Sequence, residues 1–462
     1  MCGEPTKLKA MKRTFILLTI ILMCAVEVSG QSFDGTWNGV LAFGQQPLPM
    51  SFDIDGSRAT LLSPSQSDMR ISATSVEYPA ADGIVIRIEQ LRITYSGTLT
   101  SSNKIEGIFE QNGIGIPLLL ERGEPQGINR PQEPQPPYPY IEEEVEFASV
   151  GEGVTLYGTL TLPDDNELHP GVVLVTGSGT QNRDEEAFGH KPFKVIADWL
   201  TRHGIVVLRY DDREYSTLRY EGATTQDYAR DAAGAVEYLR TRSEVDTSRI
   251  GVIGHSEGGT IAFMCGAADP EIAFIVSLAG MTTTGKECTL SQNMVVLRNE
   301  GTDEATAENI CNAIGSVIDT VIVMSPEQIR AESEQIADRA ASDIENQEMR
   351  TAFRKNIATT LGGLNEWVLY FWGYDPAESI SRIRCRVLAL NGDKDIQVDA
   401  ERNLGRLLEF PNLEGLLTVR KFPNLNHMFQ HCESGSVSEY AAIAETFSED
   451  VLAEIADWIN NI

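Results

Sequence analysis

Between Ile250 and Ala268 the chain reads IGVI, then GHSEGG, then TIAFMCGAA. An apolar run, a serine flanked by glycines and a helix-forming run in that order restrict the local fold severely. The backbone must turn from a buried strand into a helix within a few residues. Side chains two before and two after Ser256 would then meet neighbouring backbone, which explains Gly254 and Gly258. Ser256 is expected at the strained tip with Oγ exposed. The competing reading is a glycine-rich turn without chemistry. His255 and Glu257 flank the serine, so the stretch suggests a compact trio. Neighbours at so sharp a turn point in different directions, however, and the partners of Ser256 have to come from elsewhere.

The rest of the chain supplies the context that such a turn requires. Gly171–Val175 and Ile205–Leu208 are continuous apolar runs, as in strands buried on both faces. Val154–Leu162 alternates, and Ile272–Leu278, Arg386–Leu390 and Leu416–Phe422 read as further strands. Phe193–His203, Thr225–Arg240, Thr260–Ala268 and Ser448–Asn460 have helical spacing. Strands alternating with helices over residues 141–462 predict a mostly parallel sheet covered on both faces. Residues 281–376 interrupt the alternation with helical patterns, including a Ser325-Pro326-Glu327 start, and read as a helical cap. Residues 31–122 hold short strands separated by turn residues, without His or Cys. They predict a separate all-β domain, a meander or small barrel. Residues 123–140, GEPQGINRPQEPQPPYPY, contain six prolines and read as a semi-rigid linker.

In a sheet of this kind the nucleophile is followed along the chain by the acid and then by the histidine. Of six histidines, only His427 and His431 follow the serine at a suitable distance. His427 comes just after the strand that ends near Phe422 and is the chosen base; His431 reads as a surface or supporting residue. His255 reads as a packed structural histidine. The acid belongs in Asn391-Gly392-Asp393-Lys394-Asp395, where Asp395 is chosen over Asp393 and Asp399 to hold the His427 ring. The backbone N–H of Glu257 is expected to be one oxyanion donor. A second should come from the Gly177-Ser178-Gly179 loop, where Ser178 and Gly179 both qualify. A phosphate-binding reading of that loop lacks the Gly-Lys-Ser/Thr it needs.

GSGTQNRDE (Gly177–Glu185), RYDDR (Arg209–Arg213), GHSEGG, LALNGDKDIQV and PNLNHMFQ together resemble the α/β-hydrolase serine esterases over about residues 141–462. With its N-terminal β domain and proline-rich linker, the chain is similar to secreted bacterial carboxylesterases. The resemblance implies an α/β-hydrolase fold, action on short acyl esters, and Ser256, Asp395 and His427 as the triad. One departure is Glu214, where such proteins usually carry glycine after the RYD-x-R arginine.

Composition narrows the partners. A net charge of −30 repels nucleic acid and anionic membrane. Met11-Lys12-Arg13, the apolar run Thr14–Ala25 and Val28-Ser29-Gly30 form the pattern of a signal peptide, residues 1–30, implying a periplasmic or extracellular protein. No stretch is long enough to span a membrane. Of seven cysteines, five lie beyond that segment, with Cys288 and Cys311 a candidate pair. No metal-ligand spacing occurs, and neither metal nor cofactor is expected. The expected activity is therefore that of a carboxylesterase on a small acyl ester. The alternatives are an exopeptidase or acylaminoacyl hydrolase using the same triad, and a glycan- or envelope-binding protein with secondary hydrolase activity.

Overall fold

Alternation decides the first sheet, and continuous burial decides the second. The computed structural model describes residues 32–43, 46–63, 69–111, 114–123, 130–151, 153–215, 222–299 and 301–462. The expected signal peptide and residues 124–129 of the linker lie outside the described residues.

The first sheet comprises β1 (Gly35–Phe43), β2 (Gln46–Asp55), β3 (Arg58–Leu62), β4 (Ile71–Ser72), β5 (Ser75–Ala80), β6 (Gly83–Ile88), β7 (Ile93–Ser101), β8 (Lys104–Gln111) and β9 (Ile114–Arg122). Its order is β4-β3-β2-β1-β9-β8-β7-β6-β5, and every pairing is antiparallel. The inward residues of alternate positions form one core around Trp37, Phe52, Tyr95, Ile86 and Leu120. The strand β7 runs unbroken through Gly97 because that glycine is a packing residue. A Cβ there would come within 2.9 Å of the Tyr95 ring. Strand β5 is mostly exposed and lacks the apolar signal of the others.

The second sheet comprises β10 (Tyr140–Ala148), β11 (Thr155–Pro163), β12 (His169–Val175), β13 (Val206–Tyr210), β14 (Val245–His255), β15 (Phe274–Leu278), β16 (Arg386–Gly392) and β17 (Leu417–Phe422). Its order is β10-β11-β13-β12-β14-β15-β16-β17. β11 pairs antiparallel with β10 and β13, and the strands from β13 onward are parallel. Helices α1 (Pro192–Arg202) and α11 (Glu449–Asn460) cover one face, through Val172, Leu174, Ile253 and Leu388. Helices α2 (Thr225–Arg240) and α3 (Glu257–Ala268) cover the other, with α10 (Ala400–Leu407), through Val173, Val175, Val252 and Val387. This is the α/β-hydrolase fold. The order reverses at β12, with β13 on one side and β14 on the other. Loops leaving the carboxyl ends of β12 and β14 therefore open a crevice at that point.

Between β15 and β16 lie the cap helices α4 (Gly285–Asn299), α5 (Glu304–Val321), α6 (Pro326–Ala341), α7 (Gln347–Gly362) and α8 (Glu366–Gly373), followed by the short α9 (Ala377–Ile380). The Ser325 start is a capping box: Ser325 Oγ accepts from the Gln328 N–H, and the Gln328 side chain accepts from the Ser325 N–H. The cap has its own core, including Val321, Ile329, Ile336 and Leu361. No helix among the described residues is long and apolar enough to cross a membrane.

The linker departs from expectation. Read as a semi-rigid spacer, it has its second half strapped to the hydrolase fold. Arg130 donates to the carbonyls of Gly189 (2.9 Å), Phe188 (3.0 Å) and Ala441 (2.9 Å), and to that of Ile443. The Gln132 amide accepts from the Thr446 and Phe447 N–H groups and donates to the Phe447 carbonyl. Burial lowers the Arg130 pKa to about 10, so the carbonyls are taking the place of lost water.

Candidate active site

Ser256 follows β14 directly and precedes α3, with φ 54° and ψ −117°. A non-glycine residue at positive φ is strained, and such strain collects where a side chain must be presented. The neighbouring glycines are required by space. A Cβ on Gly254 would sit 1.9 Å from the Gly258 carbonyl oxygen, and one on Gly258 would sit 2.1 Å from that of Val175. The Ser256 N–H donates to the Leu278 carbonyl of β15, which fixes the turn against the next strand.

His427 and Asp395, from the loops after β17 and β16, are brought together. His427 Nδ1 lies 2.7 Å from Asp395 Oδ2, and both residues are buried. Asp395 Oδ1 accepts from the N–H groups of Gln397 and Val398, so the carboxylate is held at both oxygens. A carboxylate can only accept, so the hydrogen lies on Nδ1 and leaves Nε2 as the acceptor of the ring. Ser256 and His427 line the same cavity of about 370 Å³. The other candidates are occupied elsewhere. His431 is exposed beside Glu445, Asp393 accepts from the Asn424 N–H, and Asp399 caps α10.

The loop after β12 approaches Ser256 from the other side. A Cβ on Gly177 would lie 3.3 Å from that of Ser256. The Gly177 N–H is already committed to Glu185 Oε1 at 2.8 Å. Ser178 lines the cavity, and Gly179 takes φ 98°. Glu257 begins α3, where a first-turn N–H has no acceptor within the helix. The RYDDR motif acts beneath this loop. Buried Asp212 accepts from Thr176 Oγ1 (3.1 Å) and the Gln181 N–H (2.7 Å), while Asp211 accepts from the Arg183 N–H (2.8 Å). Burial pushes the Asp212 carboxyl well up, against the pull of those bonds. Arg213 pairs with Asp231 at 2.6 Å. Glu214, the departure from the family pattern, is buried and takes bonds from the Ala223 N–H and the Tyr228 hydroxyl, both at 3.4 Å.

His255 does more than pack. Its Nδ1 lies 2.9 Å from Glu185 Oε1, and its Nε2 lies 2.9 Å from the His427 carbonyl oxygen. A carbonyl only accepts, so Nε2 carries a hydrogen. A second hydrogen lies between Nδ1 and the carboxyl oxygen. Burial alone would lower the proton affinity of His255; the Glu185 charge and hydrogen bond outweigh it, and the pKa is raised. Glu185 and His255 thereby tie the Gly177 loop, the serine turn and the His427 loop into one unit. Glu185 was visible inside GSGTQNRDE but had no assigned role. A buried histidine with two donors to satisfy was the available signal.

The cap closes the cavity through Trp367 and Phe371 of α8, whose rings stack with centroids 5.4 Å apart. Trp367 Nε1 donates to the buried Glu257 carboxylate at 2.9 Å, and Thr225 Oγ1 donates to it at 2.6 Å. Burial raises the Glu257 pKa, with those bonds opposing. The Glu257 side chain thus joins cap to core, a role that adjacency to the serine did not suggest. The candidate Cys288–Cys311 bridge is not formed. Both thiols are free: Cys288 donates to the Gln397 carbonyl at the cavity wall, and Cys311 donates to Leu290 within the cap.

Known proteins resemble parts of this chain. Residues 191–303 match the model of the Hydrolase_4 family, described as serine aminopeptidase S33; this span holds Ser256 but neither Asp395 nor His427. Esterase EstD of Thermotoga maritima is 39% identical over 124 residues, which are 26% of this chain and 27% of that protein. The chain thus spans about a quarter of the length of that curated relative. By structure it is similar to the α/β hydrolase GrgF from Penicillium sp. sh18 (16% identity, TM-score 0.43), covering 70% of this chain and 98% of that one. It is also similar to esterase Est22 (16% identity, TM-score 0.43), covering 72% of this chain and 86% of that one. The chain has an α/β-hydrolase fold preceded by an antiparallel β domain.

Proposed function

We propose that this chain is a serine carboxylic-ester hydrolase that cleaves short acyl esters through an acyl-enzyme. The observation that carries the reading is the meeting, in one cavity, of Ser256 at positive φ with the His427–Asp395 pair. Ser256 Oγ attacks the acyl carbonyl while His427 Nε2 takes its proton. Asp395 holds the ring and stabilises the imidazolium. The N–H groups of Glu257 and of Ser178 or Gly179 bind the developing oxyanion, each worth about 3 kcal/mol in the transition state. The C–O bond to the alcohol then breaks, His427 returns the proton to the leaving oxygen, and water attacks the acyl-serine by the reverse steps. The leader pattern of residues 1–30 supports export to the periplasm or beyond, which N-terminal sequencing of the mature protein tests.

A second reading, peptidase or acylaminoacyl hydrolase, is favoured by the description of the matching family. An aminopeptidase needs a free carboxylate for the substrate ammonium. Among the described residues lining the cavity, Glu185 alone carries a carboxylate, and its Oε1 already takes Gly177 N–H and His255. Hydrolysis of p-nitrophenyl acetate and butyrate, compared with amino-acyl p-nitroanilides, separates the two. The ester reading predicts turnover of the esters and little of the anilides; the reverse preference would replace it.

A further inference from the structure

The cavity beside Ser256 offers more than room for an acyl chain, and its chemistry narrows the substrate; the inference rests on the esterase reading above. Its described lining holds no Lys, Arg or Asp, and its one acid, Glu185, is paired with His255. An ionic substituent on the substrate would lose its water without gaining a counter-charge, a cost that selects against charged esters. The polar groups that remain are largely amides. Gln181 donates its Nε2 to the Ser178 carbonyl at 3.2 Å, and Gln292 donates its Nε2 to the Gln397 carbonyl at 3.0 Å. Backbone carbonyls only accept, so both amides are fixed in orientation, with the NH₂ group toward the protein. Each therefore keeps its Oε1 acceptor for another donor. Gln397 adds a third amide to the wall, bonded through Nε2 to the Tyr440 hydroxyl at 3.1 Å. The stacked rings of Trp367 and Phe371 on the cap line the same cavity.

Acceptors fixed in place, an aromatic wall and no free charge call for an uncharged molecule with hydroxyl donors along its edge and C–H groups on its face. We propose that the physiological substrates are acyl esters of polyols or sugars, recognised by the Gln181 and Gln292 carbonyl oxygens and by the Trp367–Phe371 pair. The covalent steps are those of the esterase: the acyl group passes to Ser256 Oγ, and the sugar leaves as its free hydroxyl carrying the proton from His427.

The test compares kcat/KM for methyl 6-O-acetyl-glucopyranoside with that for cyclohexylmethyl acetate, a ring of similar size without hydroxyls. Acetylcholine and a carboxylate-bearing acetate ester serve as charged controls. One or two hydrogen bonds to neutral groups correspond to a preference of about tenfold for the sugar ester. That ratio falls toward one in Gln292→Leu and in Gln181→Leu, each measured as a ratio within one preparation so that a folding loss cancels. Equal or better turnover of cyclohexylmethyl acetate, or a preference for either charged ester, overturns the proposal while leaving the esterase intact. A sugar-ester preference that survives both leucine variants overturns the assignment to these amides. Failure to hydrolyse even p-nitrophenyl acetate removes the esterase reading itself, and this inference with it.

Discussion

The two sheets of this protein are built from similar strands and differ in how the chain connects them. In the first sheet, every neighbouring pair except β1 and β9 is consecutive in sequence. Hairpins of this kind distribute their turns between both ends, and the buried groups converge on one apolar core around Trp37 and Tyr95. In the second sheet, crossover helices return the chain to the same end before each parallel strand. The loops after β12, β14, β16 and β17 therefore converge at one edge, and Ser178, Ser256, Asp395 and His427 stand on those four loops. Connectivity, more than composition, decides which sheet can assemble chemistry.

This contrast is open to attack from both sides. The largest effect is expected at the turn after β14, where Ser256→Ala should lower kcat by about 10⁵ to 10⁶-fold, measured on p-nitrophenyl acetate with unfolding checked separately. His427→Ala should lower it about as far, by about 10⁵ to 10⁶-fold, whereas His431→Ala, at the exposed Glu445 pair, should leave turnover as it was. In the first sheet the same kind of truncation should act on stability alone. Trp37→Ala empties a fully buried site and should cost about 3–5 kcal/mol in a denaturant melt of that domain, with turnover per active site preserved. A fall in turnover to match would show that the two sheets are not independent.

Smaller effects probe the ties around the site. Glu185→Gln can still accept both bonds at Oε1 but removes the charge that strengthens them, so kcat should fall about tenfold to a hundredfold. The pH dependence has a defined sign. The folded pKa of His255 is raised above its ordinary 6.5. Its contribution is therefore complete below that value and is lost as pH rises through the folded pKa. Removing the Glu185 charge lowers that folded value, so the alkaline loss of stability should begin at lower pH in Glu185→Gln than in the natural protein, read as the unfolding midpoint across pH. An unchanged pH profile would reduce the pair to packing. Arg130→Ala should cost about 1–3 kcal/mol by leaving the Gly189, Phe188, Ala441 and Ile443 carbonyls without their donor, read as a lower midpoint for the hydrolase domain.

How legible each feature was in the sequence follows from the range of the interactions that make it. The turn at Ser256 is local: the glycines, the apolar strand and the helix lie within twenty residues, and sterics alone demand them. The α2 pattern is local too, and its expected span, Thr225–Arg240, is the observed one. The choice of His427 and Asp395 needed the chain order of the fold, after which the Asn391–Asp395 and Asn426–Met428 loops were the natural places. What stayed hidden depends on contacts between distant residues. Arg130 reaches carbonyls up to 313 positions away, and nothing near a proline-rich stretch announces that. Glu185 meets His255 across 70 positions, and Trp367 meets Glu257 across 110. The exposed strand β5 escaped for the opposite reason, since a strand that buries almost nothing leaves no hydrophobic period to read.

The central claim is that Ser256 is the nucleophile and that His427, held by Asp395, activates it. Reaction of the whole protein with a fluorophosphonate, followed by mass analysis of the peptides, tests it without assuming a substrate. The account predicts one adduct, on Ser256, absent in Ser256→Ala and formed far more slowly in His427→Ala. Labelling of another residue, or of Ser256 at the same rate without His427, would contradict it.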